Sequence, residues 1–233
     1  MVNHPVLKAY KVIIPALFML SSCASDKTSA PDSDTVFADF YIRYLAPEQE
    51  FKAYASFVEG TPVSEGISKT FPGGVKFMGQ VMDPRRLNNE ALRYQYSGKK
   101  SYSRDLSFSF LETNGTQQLF AATMENIDTF SISGDASKSK GLHLMLSGAD
   151  LERDETLLLL VTDALSKAYT LQANGPLPAS DIFFTPEQMG HLPVGKLELY
   201  LVRKKMLEGL RDNFDYRFAI EYYSDVLTVT MGE

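Results

Sequence analysis

The sequence predicts an all-β protein, two tandem antiparallel β-sandwich domains behind a signal peptide and a flexible stalk. Three observations carry this expectation. From Val36 onward apolar residues recur at every second position, the period of a strand with one buried face. The alternating runs are short and are separated by Gly, Pro, Asn, Asp and Ser at turn spacing, as in sandwiches and barrels. A Gly/Ser/Lys-rich stretch, Ser133–Gly141, divides the runs into two sets. Each set has about 100 residues, the usual size of a sandwich domain.

At the N-terminus Lys8 and Lys11 precede an apolar run, Val12–Leu20, which is followed by Leu20-Ser21-Ser22-Cys23. A positive flank, a short apolar core and small residues at a cleavage site make a secretory signal. The run is shorter than the roughly 20 residues a membrane-crossing helix needs, and Pro15 interrupts it. Leu20-Ser21-Ser22-Cys23 resembles the lipobox of bacterial lipoproteins: a long aliphatic residue, two small residues, then a cysteine. The resemblance implies that a signal peptidase recognises Leu20, Ser21 and Ser22, that residues 1–22 are removed, and that Cys23 is acylated and ties the chain to a membrane. Ala24 rather than aspartate follows the cysteine, and by the same resemblance this implies sorting to the outer membrane.

Cys23 is the single cysteine of 233 residues, so no disulfide can form within the chain. Acylation would remove a thiol that is a liability in an oxidising compartment. Two or more acyl chains, at about 0.8 kcal/mol per buried CH2, anchor stably where one does not. Residues 23–34 contain only small and polar side chains after the cysteine and read as a disordered stalk.

In the first domain, residues 35–135, strands are expected at Val36–Tyr44, Phe51–Phe57, Val75–Met82, Ala91–Tyr96, Leu106–Leu111, Gln117–Met124 and Ile127–Ile132. Asn114-Gly115 supplies the positive φ angles of a tight hairpin. In the second domain, residues 136–233, strands are expected at Leu142–Leu146, Glu155–Thr162, Ala168–Gln172, Asp181–Phe184, Lys196–Arg203, Tyr216–Tyr222 and Val226–Met231. Thr185-Pro186 suits the cap and first position of a short helical turn. This half resembles the immunoglobulin-like β-sandwich modules of bacterial surface proteins, through Leu146-Ser147-Gly148-Ala149-Asp150-Leu151, Glu155–Val161 and Phe183-Phe184-Thr185-Pro186. The resemblance implies a module and no particular activity, and neither the hallmark disulfide nor a tryptophan is present.

The formal net charge of −6 becomes more negative once the leader's lysines are lost. The longest basic run is Arg203-Lys204-Lys205, which reads as the solvated end of a strand. This balance argues against nucleic acid as a partner. Chemistry is sparse. His143 lies in a strand and reads as a structural or surface imidazole, and His191 lies alone in a loop. Without a second histidine nearby or a free cysteine, no metal site is expected, and no cofactor. No G-x-S-x-G elbow is present. Ser97 with Lys100 and Ser137 with Lys140 match Ser-x-x-Lys only within turns, where nothing aligns them. Asp150, Glu152, Asp154 and Glu155 lack the spacing of a calcium loop. Tyr41, Tyr44, Tyr54, Tyr94, Tyr96, Tyr216, Tyr222 and Tyr223 suit cross-strand pairs or a contact surface. The chain therefore reads as a lipid-anchored envelope protein with a non-catalytic binding or scaffolding role. Its expected partners are the membrane, through lipid on Cys23, and a protein or glycan of the envelope. The alternative is a hydrolase or polysaccharide-processing accessory that uses surface carboxylates.

Overall fold

Strict alternation makes β1 (Val36–Leu45) and β2 (Glu50–Glu59) a ten-residue antiparallel hairpin, with Phe40 and Ile42 turned inward and Tyr41 and Arg43 outward. In the computed structural model, which describes residues 35–60, 66–87 and 91–233, the first half continues with β3 (Ile67–Ser68), β4 (Val75–Phe77), β5 (Gln80–Val81), β6 (Asp83–Arg86), β7 (Leu92–Lys99), β8 (Asp105–Leu111) and β9 (Gln117–Thr123). The expected strand Val75–Met82 is split because Met78 and Gly79 both take positive φ and close a β4–β5 turn.

The second half contains β10 (Thr129–Ser137), β11 (Gly141–Ser147), β12 (Glu155–Asp163), β13 (Ala168–Asn174), β14 (Ile182–Phe184), α1 (Pro186–Met189), β15 (Gly195–Arg211), β16 (Phe214–Tyr223) and β17 (Leu227–Met231). Thr185 caps α1, with its hydroxyl accepting from the Gln188 N–H and the Gln188 side chain returning to the Thr185 N–H.

Among the described residues the chain is all-β apart from that single turn, in three sheets. The largest runs β13-β12-β15-β16-β1-β2-β7-β6, with β17 beside β15 and β3 beside β2. A four-stranded sheet, β5-β4-β8-β9, faces it with a layer of phenylalanines between: Phe40 lies 4.9 Å from both Phe108 and Phe120, and Phe57 lies 4.9 Å from Phe110. A three-stranded sheet, β10-β11-β14, contributes aliphatic side chains, Leu142, Leu144 and Ile182, to the same continuous buried cluster as Leu157, Leu159 and Leu199.

The expected division into residues 35–135 and 136–233 is corrected by the strand pairing. β16, from the second half, pairs with β1 in parallel over ten residues from Val36↔Phe214 to Leu45↔Tyr223, so one sheet draws on both halves. The described residues form a single compact unit. Ser133–Gly141 is no linker but the bulged end of β10 and the turn into β11, with Gly134 and Gly141 at positive φ. A tight hairpin and an interdomain linker draw on the same small, polar residues, so composition does not separate them. The wholly antiparallel expectation fails at the same β1–β16 contact. Alternation reports which face is buried and is silent on which strand lies alongside.

Candidate functional site

The basic run Arg203-Lys204-Lys205 obeys the alternation of β15 instead of lying in solvent. Arg203 and Lys205 turn inward and are 1% and 6% exposed, while Lys204 turns outward to Glu221. Because Glu155 pairs with Lys205 and Leu157 with Arg203, the Glu155 carboxylate lies diagonally across the ladder from the guanidinium. Arg203 donates through Nε and Nη2 to Glu155 Oε2 at 3.1 and 2.5 Å, and to the carbonyls of Ala149 and Asp150 at 3.1 and 2.7 Å. Glu155 Oε2 also accepts from the Glu152 N–H. Lys205 binds the Glu152 carboxylate and lies 3.4 Å from Asp154. Burial would lower the Lys205 ammonium's pKa, but the hydrogen bond to Glu152 and the neighbouring acids raise it above its usual range. The loop is pinned further at Gly175, where a β-carbon would fall 1.8 Å from the Glu152 carbonyl oxygen. Asp150 Oδ1 accepts from the Ala179 N–H. Glu152, Asp154 and Glu155, three of the four acids of this loop, are thus the counter-charges of two buried cations.

The outer face of the large sheet carries a strip of rings and guanidinium groups. The Arg93 guanidinium lies 4.6 Å over Tyr54, Tyr54 stacks on Tyr41 at 6.0 Å, Arg43 sits 4.9 Å over Tyr223, and Tyr223 faces Tyr200 at 6.4 Å. Each ring meets a neighbouring ring or guanidinium, the arrangement of cross-strand stabilisation. Glu221 organises the strip, accepting from Tyr41 at 2.6 Å, Tyr223 at 3.0 Å, Arg43 at 3.2 Å and Lys204 at 3.1 Å. Burial, then the charge of Glu221, pushes Tyr223 up to about 12, so its hydroxyl stays a donor. Burial alone would raise Glu221, but hydrogen bonds from Tyr41, Lys204 and Tyr223 hold it below its ordinary 4.5. A carboxylate lowered on folding adds stability above its unfolded pKa and loses it as the pH falls through the folded one. Glu221→Gln is expected to flatten the loss of stability between about pH 5 and pH 3, read from urea midpoints across that range. An unchanged acid limb would assign the effect to other carboxylates.

A different surface is open. β9 ends its sheet, and among the described residues no strand pairs with its outer edge. The Met124 N–H bonds the Arg104 carbonyl, which fixes the phase: the amides of Gln117, Leu119, Ala121 and Thr123 point away from β8. The side chains of those four residues are exposed and uncharged. Opposite, β12 begins at Glu155, the partner of Lys205, so β15 beyond Lys205 pairs only with β16. Between the two bare edges runs a groove of about 540 Å³ lined by Leu106, Leu119, Ala121 and Leu207, with Asp105, Asp154 and Lys205 as its charged groups. Arg211, farther along β15, reaches the β9 edge, its Nη1 donating to the Leu119 carbonyl at 2.5 Å.

No family model matches the chain. No curated protein matches it either. Among solved structures it is similar to a tetra-tandem repeat in the extending region of a large adhesion protein, at 12% identity over 85% of this chain and 50% of that one, with a TM-score of 0.28. The chain thus spans about half the length of that structure, and a score so low carries no argument.

Leu20, Ser21, Ser22 and Cys23, with the stalk, lie outside the described residues. His143 is on β11, its Nδ1 2.7 Å from Asp181 Oδ1 and its ring 4.5 Å from Phe183. Ser133 is its cross-strand partner. His191 is exposed in the loop after α1. Neither Ser-x-x-Lys serine meets its lysine's amine: Ser97 donates to Glu50 at 2.5 Å, and Lys140 offers Ser137 only its backbone N–H. Among the described residues no group of three or more His, Asp or Glu is placed to hold a metal. The open edge was missed in the sequence; its one signal is the uncharged run Gln117–Thr123.

Proposed function

We propose that the chain is a lipid-anchored cell-envelope protein, acylated on Cys23 after cleavage behind Ser22, whose β-fold binds another envelope component without catalysis. The lipobox resemblance of Leu20-Ser21-Ser22-Cys23 supports the anchor, and Ala24 supports the outer membrane as its address. The observation that carries the binding reading is the uncharged open edge of β9 above an apolar groove. Soluble β-proteins ordinarily blunt such an edge with charge, proline or a bulge, and one left bare is a template for pairing. The hydrolase alternative has less support, because Glu152, Asp154 and Glu155 are held by Arg203 and Lys205.

A photo-reactive amino acid placed in cells at position 121 is expected to give an envelope adduct that the same group at Leu165, an exposed turn residue, does not. With Cys23→Ser the chain should lose lipid labelling, leave the membrane fraction and give less adduct. Persistent labelling of that variant would overturn the anchor. Equal adducts at positions 121 and 165 would overturn binding at the edge.

A further inference from the structure

We infer that the open edge of β9 takes up an extended segment of a partner protein, apolar at alternate positions and basic where it passes Asp105 and Asp154. This rests on the binding reading above and gives the occupant its chemistry. The edge presents the N–H and C=O groups of Gln117, Ala121 and Thr123 and the N–H of Leu119 outward, at the spacing a fifth strand of that sheet would need. A strand added there would point every second side chain toward Leu207 in the groove, which requires those residues to be apolar.

The charges around the groove set the rest. Asp105 is 77% exposed by side chain and lies opposite Thr123 at one end of the edge. Asp154 is 36% exposed. Lys205 is shared between Glu152 and Asp154, and Arg104 between Asp105 and Glu125, so around the groove the acids outnumber the cations they share. A basic residue on the incoming strand answers them. A second copy of this chain would not, since each copy carries a formal net charge of −6. Toward the other end the Arg211 guanidinium occupies the Leu119 carbonyl, so the pairing is most complete at Ala121 and Thr123.

The test is uptake of a fluorescein-labelled peptide, Lys-Val-Thr-Val-Thr-Val, by the purified full chain, followed by fluorescence anisotropy. Saturable binding is expected, at least tenfold weaker with Ala121→Lys, with Ala121→Pro and with a peptide whose lysine is replaced by glutamate. Ala121→Pro removes an edge donor and no ladder bond. Ala121→Lys, on an exposed side chain, guards against misfolding as the cause, with circular dichroism as the check. Equal binding by both variants would overturn the edge as the site. Equal or tighter binding of the glutamate peptide would overturn the basic occupant while leaving the in-cell adduct at position 121, and so the binding reading, in place. Failure of the lysine peptide to bind at millimolar concentration, or a dimer dissolved by Ala121→Lys in sedimentation equilibrium, would also overturn it.

Discussion

Arg203→Met is expected to destabilise the chain by about 3–5 kcal/mol, the usual cost of removing one partner from a buried ion pair. The guanidinium is 1% exposed and so is the Glu155 carboxylate, so the substitution leaves a buried negative charge held by the Glu152 N–H and by Lys205, 3.9 Å from its other oxygen. It also leaves the carbonyls of Ala149 and Asp150 without their donor. The pair Arg203→Met with Glu155→Leu is expected to regain most of the loss, because removing both charges removes the desolvation penalty as well. Urea midpoints of the two single variants and the double variant make the measurement. A double variant no more stable than Arg203→Met alone would show that the cluster's worth lies in the loop carbonyls and not in the paired charges.

Phe40→Ala should cost about as much, roughly 3–5 kcal/mol, by opening a cavity where the ring now meets Phe57, Phe108, Phe120 and Phe218. Its second consequence concerns cooperativity. Leu159→Ala, in the aliphatic part of the core, should cost about 2–5 kcal/mol, and both variants should shift one and the same transition, because β15 and β16 join the two regions through a shared sheet. Calorimetry is the suitable readout. Two transitions, each moved by only one of the substitutions, would restore the independent domains that composition suggested.

Much of the secondary structure was legible because alternation is a local signal: Phe40, Phe108 and Leu159 announce their burial by their neighbours' polarity. Pairing was not legible. Nothing near Val36 names Phe214 as its partner, and a parallel contact between distant segments leaves no mark in the sequence. The Lys196–Arg203 strand ended too early because two lysines beside an arginine look like a solvated terminus. Only the matching acids at Glu152, Asp154 and Glu155, fifty residues earlier, explain why Arg203 and Lys205 can face inward. The open edge escaped for a related reason, since an uncharged strand looks the same whether it is central or bare.

The parallel contact of β1 with β16 also orders events in time. Asp39 and Arg217, which bridge it, are 178 residues apart. A ribosome delivers β16 long after β1, so β1 must wait, with one edge bare, while the residues between the two are made. Such separation slows closure and prolongs exposure to wrong partners. Until β16 arrives, Phe40 and Tyr44 lack their contacts with Phe218 and Tyr222, and any product halted before that strand is left sticky, which makes the arrival of β16 the step that renders it safe.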